Sequence, residues 1–149
     1  MLLTDGGEVA ADAGGHRTGG VPLVPTGFSW PEKGPLMSLY LFAGTSVDDF
    51  AGAVAWYEKL LGAAPSSFPH ETEAVWELAE GRLVYVVRRP EHAGHGTLTL
   101  IVDDLEDTVR GIAERGVEPV REEHYANGVR KCTYADPEGN EIGFGEVPR

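Results

Sequence analysis

The sequence is short of cysteine and of basic residues, and each shortage excludes a class of protein. Cys132 is the single cysteine, so an internal disulfide is excluded and a reducing compartment is indicated. Lysine and arginine number 12 against 24 acidic residues, a formal net charge of −12. Because such a surface repels phosphate backbones and anionic lipids, we expect neither nucleic acid nor a membrane as partner. The charge mildly favours a cationic ligand, but a solvated acidic surface is the better explanation.

Long apolar runs are also lacking. No stretch of the sequence approaches the roughly 20 residues that a membrane-spanning helix needs. The start, MLLTDGG, lacks the basic and apolar regions of a signal peptide, so we expect a cytoplasmic protein. With 149 residues and 42 % hydrophobic content, the chain is predicted to bury a core as one globular domain.

The N-terminal residues 1–36 differ in composition from the rest of the chain. Glycine and proline recur throughout them, a composition that disfavours both helix and sheet. We therefore predict a flexible arm over 1–36 and a globular domain over 37–149. Met37 is an alternative native start.

Two segments of the domain repeat each other. VDDFAGAVAWYEKLLG begins at Val47 and VDDLEDTVRGIAERG begins at Val102. In both, aspartates suited to a helix start precede apolar residues at helical spacing, and a glycine follows. A strand-like run precedes each segment and a hairpin pattern follows it. The sequence therefore predicts an α+β fold of two βαβββ repeats, at about 37–92 and 93–147.

The repeat, with its motifs AWYEKLLG and DPEGNEI, resembles the vicinal oxygen chelate superfamily. That superfamily includes glyoxalases, extradiol dioxygenases, fosfomycin-modifying enzymes and bleomycin-resistance proteins. The resemblance covers residues 37–147 and implies a curled mixed sheet around a cleft, with the helices outside. It also implies a homodimer. Because one fold hosts unrelated activities, the function has to be argued from the site residues.

The resemblance further implies four inward positions that supply histidines and glutamates to a divalent metal in the metal-dependent members. These positions fall on Phe42, Tyr85, Thr97 and Gly143. None of the four offers an imidazole or a carboxylate, so we expect no bound metal and no other cofactor. A bulge that turned Tyr40 inward instead of Phe42 would supply no ligand either.

Two glycines on one face of the last strand, Gly143 and Gly145, predict open space beside the cleft. If residues 138–139 form a two-residue hairpin turn, Tyr134 lies opposite Gly143 and faces inward. In the first repeat, a two-residue turn at Glu80 and Gly81 would likewise place Trp76 opposite Tyr85. The predicted ligand-binding residues are therefore Tyr40, Phe42, Trp76, Tyr85, Thr97, Tyr134 and Gly143. The alternative is that these rings simply fill the cleft as core.

These features predict a metal-free binding protein of the bleomycin-resistance type, without catalytic residues, that sequesters an aromatic or amphipathic small molecule. Whether the protein is an enzyme is left open. The alternative is a lyase, isomerase or dioxygenase with unusual metal ligands such as His95 and Glu141. Acid–base chemistry by His70, Tyr85 or Tyr134 would be a second route to an enzyme.

Two smaller features have ordinary interpretations. His92 and His95 have a spacing that a metal could use, but without a third ligand they indicate a solvated loop. Cys132 is predicted to be a buried, inert thiol, because its neighbours Arg130 and Lys131 point to the opposite face of the strand.

Overall fold

The computed structural model describes residues 39–149 and confirms the α+β class with two modules of βαβββ order. The first module contains β1 (Leu41–Val47), α1 (Phe50–Leu61), β2 (Ser67–His70), β3 (Glu73–Ala79) and β4 (Arg82–Arg88). The second contains β5 (Thr97–Ile101), α2 (Leu105–Glu114), β6 (Arg121–His124), β7 (Arg130–Ala135) and β8 (Glu141–Glu146). A short 3-10 helix, Pro90–His92, joins them. The arm predicted over 1–36 lies outside the described residues.

Each module forms one four-stranded mixed sheet. The strand orders are β1-β4-β3-β2 and β5-β8-β7-β6, and the first strand of each module runs parallel to its last. Both helices contribute side chains to a single apolar cluster that also contains residues of both sheets, so they lie on the same side of the molecule. Neither helix in this part of the chain is long and apolar enough to span a membrane.

The loop between β7 and β8 is longer than the sequence predicted. It spans residues 136–140, because strand pairing resumes only on either side of them. Oδ1 of Asp136 accepts hydrogen bonds from the backbone N–H groups of Glu138 and Asn140, at 2.9 Å each. Gly139 adopts a φ of 104°, a conformation that favours glycine. The Asp136 carboxylate thus stabilises a five-residue loop in place of the two-residue turn that the sequence predicted.

The pairing predicted for Tyr134 is consequently wrong by one residue. Tyr134 pairs with Ile142, and Gly143 pairs with Thr133. The Tyr134 ring is fully buried and packs edge-on against Phe144, with ring centroids 5.8 Å apart. Tyr134 therefore belongs to the core beneath the helices and not to an inward-facing wall.

The pairing predicted for Trp76 is also wrong. A β-bulge near the end of β3 inserts one residue, so Trp76 pairs with Val84 and Tyr85 pairs with Val75. The Trp76 side chain is 2 % exposed, and its indole N–H donates to the carbonyl oxygen of Ala63 at 2.8 Å. Trp76 is a core residue on the helical side of the first sheet.

The DPEGN segment joins the two modules through a buried polar network. Oδ2 of Asp136 accepts a hydrogen bond from the Tyr57 hydroxyl at 2.8 Å, and that hydroxyl lies 3.0 Å from Oγ1 of Thr45. The side-chain amide of Asn140 donates to Oδ2 of Asp136 at 2.8 Å and to the carbonyl of Ser46 at 2.9 Å. Burial, together with the neighbouring Asp136, raises the pKa of Tyr57, so its hydroxyl stays protonated and donates. The DPEGN motif, which carries the family resemblance, therefore has a structural role and holds the two modules together.

The second module also holds both ends of α1. At the N-terminus, the Glu138 carboxylate accepts hydrogen bonds from the backbone N–H groups of Asp48 and Asp49, at 2.7 and 2.8 Å. At the C-terminus, the Arg115 guanidinium donates to the carbonyl of Leu60 at 3.1 Å. An anion at the start and a cation at the end both complement the helix dipole. These contacts set the relative orientation of the modules.

Candidate functional site

The first strands of the two modules, β1 and β5, lie side by side and run in opposite directions. The backbone N–H of Gly94 donates to the carbonyl of Ser46 at 3.3 Å, at one end of this junction. At the other end, Leu41 and Ile101 line the same groove. Because both helices lie on one side, the helix-free faces of the two sheets continue into each other. We call this combined surface the cleft face.

The first module supplies an aromatic and apolar part of the cleft face. Strand register places Phe42 beside Leu83, and Gly44 beside Tyr85, with all four on this face. The Phe42 side chain is 51 % exposed, and its ring centroid lies 4.9 Å from that of Tyr85. A Cβ atom at Gly44 would lie 2.4 Å from the Tyr85 ring, so the ring rests directly on the glycine backbone. Gly44 thus permits a flat aromatic surface.

The second module supplies a polar part, and here Gly143 of β8 has a clear role. A Cβ atom at Gly143 would lie 2.6 Å from Cε of Lys131 and 3.3 Å from Oγ1 of Thr99. Gly143 therefore leaves room for the Lys131 stem to cross the sheet. Lys131 lies on the face opposite to that of Cys132, as predicted, and on the cleft face with Gly143 and Gly145. The same prediction is wrong for Arg130, because residues two apart in a strand share a face, so Arg130 lies on the side of Cys132.

Glu141 lies at the edge of this polar part and is already paired. Its Oε1 is 2.9 Å from Nη2 of Arg121. This hydrogen bond, with the charges of Arg121 and Lys131, lowers the pKa of Glu141. The carboxylate therefore stays ionised, and its oxygens are directed towards a guanidinium.

The residues present do not fit a divalent metal. Phe42, Tyr85, Thr97 and Gly143, the four positions implied by the resemblance, all lie on the cleft face by strand register. They offer no carboxylate or imidazole, and the ammonium of Lys131 beside Gly143 would repel a divalent cation. Within residues 39–149, no three His, Cys, Asp or Glu side chains come close enough to hold a metal ion.

The remaining predicted site residues are dispersed. Tyr40 precedes β1 and is 76 % exposed. His70 lies on the outer strand β2, with Nε2 3.0 Å from a carboxylate oxygen of Glu73. His95 is exposed in the segment before β5. Burial raises the pKa of Tyr134 to about 12, so its phenol is poorly suited to proton transfer near neutral pH.

Cys132 is buried on the helical side of β7. Burial, reinforced by the charge of Glu122, raises the pKa of the Cys132 thiol and thus lowers its thiolate fraction. We expect a disulfide reagent such as Ellman's reagent to modify the native protein at least roughly a hundredfold more slowly than the urea-unfolded chain. Rates that agree within about tenfold would contradict the placement of this thiol in the core.

The chain belongs to the Glyoxalase/Bleomycin resistance protein/Dioxygenase superfamily, whose sequence profile matches residues 42–144. A crystal structure of a glyoxalase/bleomycin resistance protein from Catenulispora acidiphila is 65 % identical, with a TM-score of 0.72. That similarity covers 74 % of this chain and 100 % of the other. No protein of curated function matches this chain significantly.

More distant solved structures share the fold and differ in function. A bleomycin-binding protein complexed with bleomycin is 17 % identical with a TM-score of 0.61, over 74 % of this chain and 100 % of that one. A lactoylglutathione lyase from Agrobacterium tumefaciens is 18 % identical with a TM-score of 0.58, over 76 % of this chain and 95 % of that one. At these identities the similarity shows the fold alone.

Proposed function

We propose that this protein binds a small aromatic or amphipathic molecule directly on the cleft face, without a metal, and sequesters it. The observation that carries the proposal is the position of Lys131. Its side chain lies over Gly143, where the metal-dependent members of the superfamily are expected to place a metal ligand. The exposed Phe42–Tyr85 pair lies on the same continuous face.

The aromatic pair suits stacking against a flat apolar ligand. Phe42 is half-exposed and stands beside Tyr85, so a bound ring would cover apolar surface that is otherwise hydrated. Burial of apolar area contributes about 25 cal/mol per Å², and well-placed aromatic pairs add to it. Sequestration requires burial of the ligand and a complementary shape. It does not require a reacting group. The bleomycin complex of a distant relative supports the proposal by analogy of fold.

An enzymatic function has less support from the same residues. Glu141 is held by Arg121, and the Tyr134 hydroxyl is enclosed in the core. His95 is exposed and has no cluster of further ligands within residues 39–149. A lyase, isomerase or dioxygenase would have to draw on these groups, and binding requires none of them.

The proposal includes a homodimer in the cytoplasm, with neither nucleic acid nor a membrane as partner. Exposed Leu41, Leu78 and Ile101 support self-association, since they border a groove of about 900 Å³ at one end of the junction between β1 and β5. The surplus of acidic residues opposes binding to nucleic acid. Light scattering on the purified chain should give twice the monomer mass.

The proposal is tested by titrating the protein with naphthamide, a neutral planar probe, and following the probe's fluorescence. Phe42→Ala removes half of the aromatic pair and should weaken binding by about tenfold. Phe68→Ala is the matched control, because Phe68 is similarly exposed, at 54 % against 51 %, but lies on the outer strand β2. An equal loss in both variants, or the absence of saturable binding to the native protein, would contradict the proposal.

A further inference from the structure

We propose that Lys131 recognises an anionic group, and that the ligand of the cleft face is an aromatic acid. Its planar apolar ring system would bear a carboxylate or a sulfonate. This inference rests on the proposed binding function and specifies the chemical class of its ligand. It follows from a cation, a hydroxyl and an aromatic pair that share one surface.

The ammonium of Lys131 lies close to the backbone of β8. A Cβ atom built at Gly143 would be 3.6 Å from Nζ of Lys131 and 3.3 Å from Oγ1 of Thr99. The ammonium and this hydroxyl thus lie close to the same point of the cleft face, next to Gly143. Both groups can donate hydrogen bonds to an anionic oxygen.

The charge of Lys131 is not neutralised by an ion pair. Among residues 39–149, no carboxylate forms a salt bridge with Lys131, and no side chain accepts a hydrogen bond from it. Glu141 is paired with Arg121 at 2.9 Å. Glu123, which lies opposite Lys131 in the strand register, accepts a hydrogen bond from the Tyr125 hydroxyl at 3.1 Å. The ammonium is therefore available to a ligand.

The Thr133 hydroxyl, on the same side of the sheet, is a second polar group without a partner in the described part of the chain. Thr133 pairs with Gly143 and faces the same side of the sheet, and its side chain is 1 % exposed. Its hydroxyl has no hydrogen-bond partner in the described part of the chain. Because buried hydroxyl groups are almost always hydrogen-bonded, we expect this hydroxyl to take a water molecule or a ligand oxygen as its partner.

The aromatic part of the ligand has its own place across the β1–β5 junction. Phe42 and Tyr85 form an apolar platform on the first module, whereas Lys131 lies on the second. One molecule with a ring and an acidic group would engage both. The ammonium acts at closer range than the net charge of the whole chain, because charge interactions weaken with distance and are screened by salt. The carboxylates nearest to it, those of Glu141 and Glu123, are already hydrogen-bonded to Arg121 and Tyr125. The cationic preference suggested by the net charge is therefore reversed at the site.

The test compares three probes of similar size and different charge: naphthoate, neutral naphthamide and naphthylmethylammonium. Native protein should bind naphthoate about tenfold more tightly than naphthamide, the gain expected for one charge-assisted hydrogen bond. Lys131→Gln should abolish this preference, and Lys131→Arg should retain it. Lys59→Gln is the matched control, since Lys59 is exposed on α1 on the helical side, and should leave the preference intact.

Gly143→Ala gives an independent check. Its Cβ would displace the flexible end of Lys131 and should lower the preference for naphthoate, whereas the fold should tolerate the methyl group. Thermal unfolding of every variant establishes that it is folded at the temperature of the titration. The affinity for naphthoate should also fall as salt is added.

The outcomes separate this inference from the proposed function. If naphthamide binds as tightly as naphthoate, or if Lys131→Gln keeps the preference, the anion site is wrong while the binding function stands. A preference for naphthylmethylammonium also overturns the inference. If none of the three probes binds, both the inference and the proposed function are wrong.

Discussion

Asp136→Ala should lower the free energy of unfolding by about 3 kcal/mol or more, because it removes the acceptor at the centre of the inter-module network. The Tyr57 hydroxyl and the Asn140 amide would each lose a bond of 2.8 Å inside the core. The loop N–H groups of Glu138 and Asn140 would lose their acceptor as well. Urea unfolding followed by far-UV circular dichroism measures the loss.

Asp103→Ala is the matched control for this measurement. Asp103 is highly exposed, at 93 % of its side chain, and its partner among residues 39–149 is Arg149 on the surface. Exposed ion pairs contribute little, so its loss should stay within about 0.5 kcal/mol. Similar losses in the two variants would mean that the DPEGN segment does not clamp the modules together.

Trp76→Ala should cost about 3–5 kcal/mol in the free energy of unfolding, the range for truncating a buried aromatic side chain. Trp76 is 2 % exposed, packs 6.0 Å from the Tyr57 ring between centroids, and donates to the Ala63 carbonyl. Its removal leaves a cavity and an unpaired acceptor on the helical side of the sheet. Chemical unfolding gives the magnitude.

The contrast with Phe42→Ala decides which side of the sheet each ring occupies. Phe42 is half-exposed on the cleft face, so its truncation should change stability by less than about 1 kcal/mol while weakening the binding of naphthamide. The milder Trp76→Phe should keep naphthamide affinity within about twofold, since Trp76 does not reach the cleft face. A large loss of affinity in Trp76→Phe, with unchanged stability, would restore Trp76 to the binding surface.

The repeat was predictable because local signals agree with the tertiary structure. Asp49 caps α1 through its side chain, which accepts a hydrogen bond from the backbone N–H of Gly52 at 3.0 Å. Gly62 ends the same helix with a φ of 80°. Capping residues and helical spacing act within a few residues of the chain, so the sequence alone reveals them.

The strand register was not predictable to the residue, and the composition of the site depended on it. One extra residue at the end of β3 and a longer loop at Asp136 each shift the pairing by one position. Because side chains alternate along a strand, a single step exchanges the two faces. Trp76 and Tyr134 thereby moved from the expected cleft into the core. The DPEGN segment did carry a signal. An Asp followed three residues later by Gly favours a type I turn, whereas the predicted register assumed a two-residue turn at 138–139.

Lys131 was missed for a related reason. Lysine in a strand usually indicates a solvated face, and the two-residue turn assumed at 138–139 placed Lys131 on the face away from the cleft. The pair of glycines in β8 was the available sign, because a strand that lacks side chains on one face accommodates a neighbour's long side chain. The glycines predicted space, and the space is filled by Lys131.

Metal-free binding of a ligand on the cleft face is best tested by measuring the metal content of the protein. Purified, untagged protein would be incubated with excess manganese, iron, nickel and zinc, desalted, and measured by elemental analysis. We expect far less than one metal ion per chain, because the four positions Phe42, Tyr85, Thr97 and Gly143 offer no carboxylate or imidazole and the Lys131 ammonium would repel a cation. Retention of close to one ion per chain would contradict it, and His92, His95 and Glu141 would then be the first residues to replace.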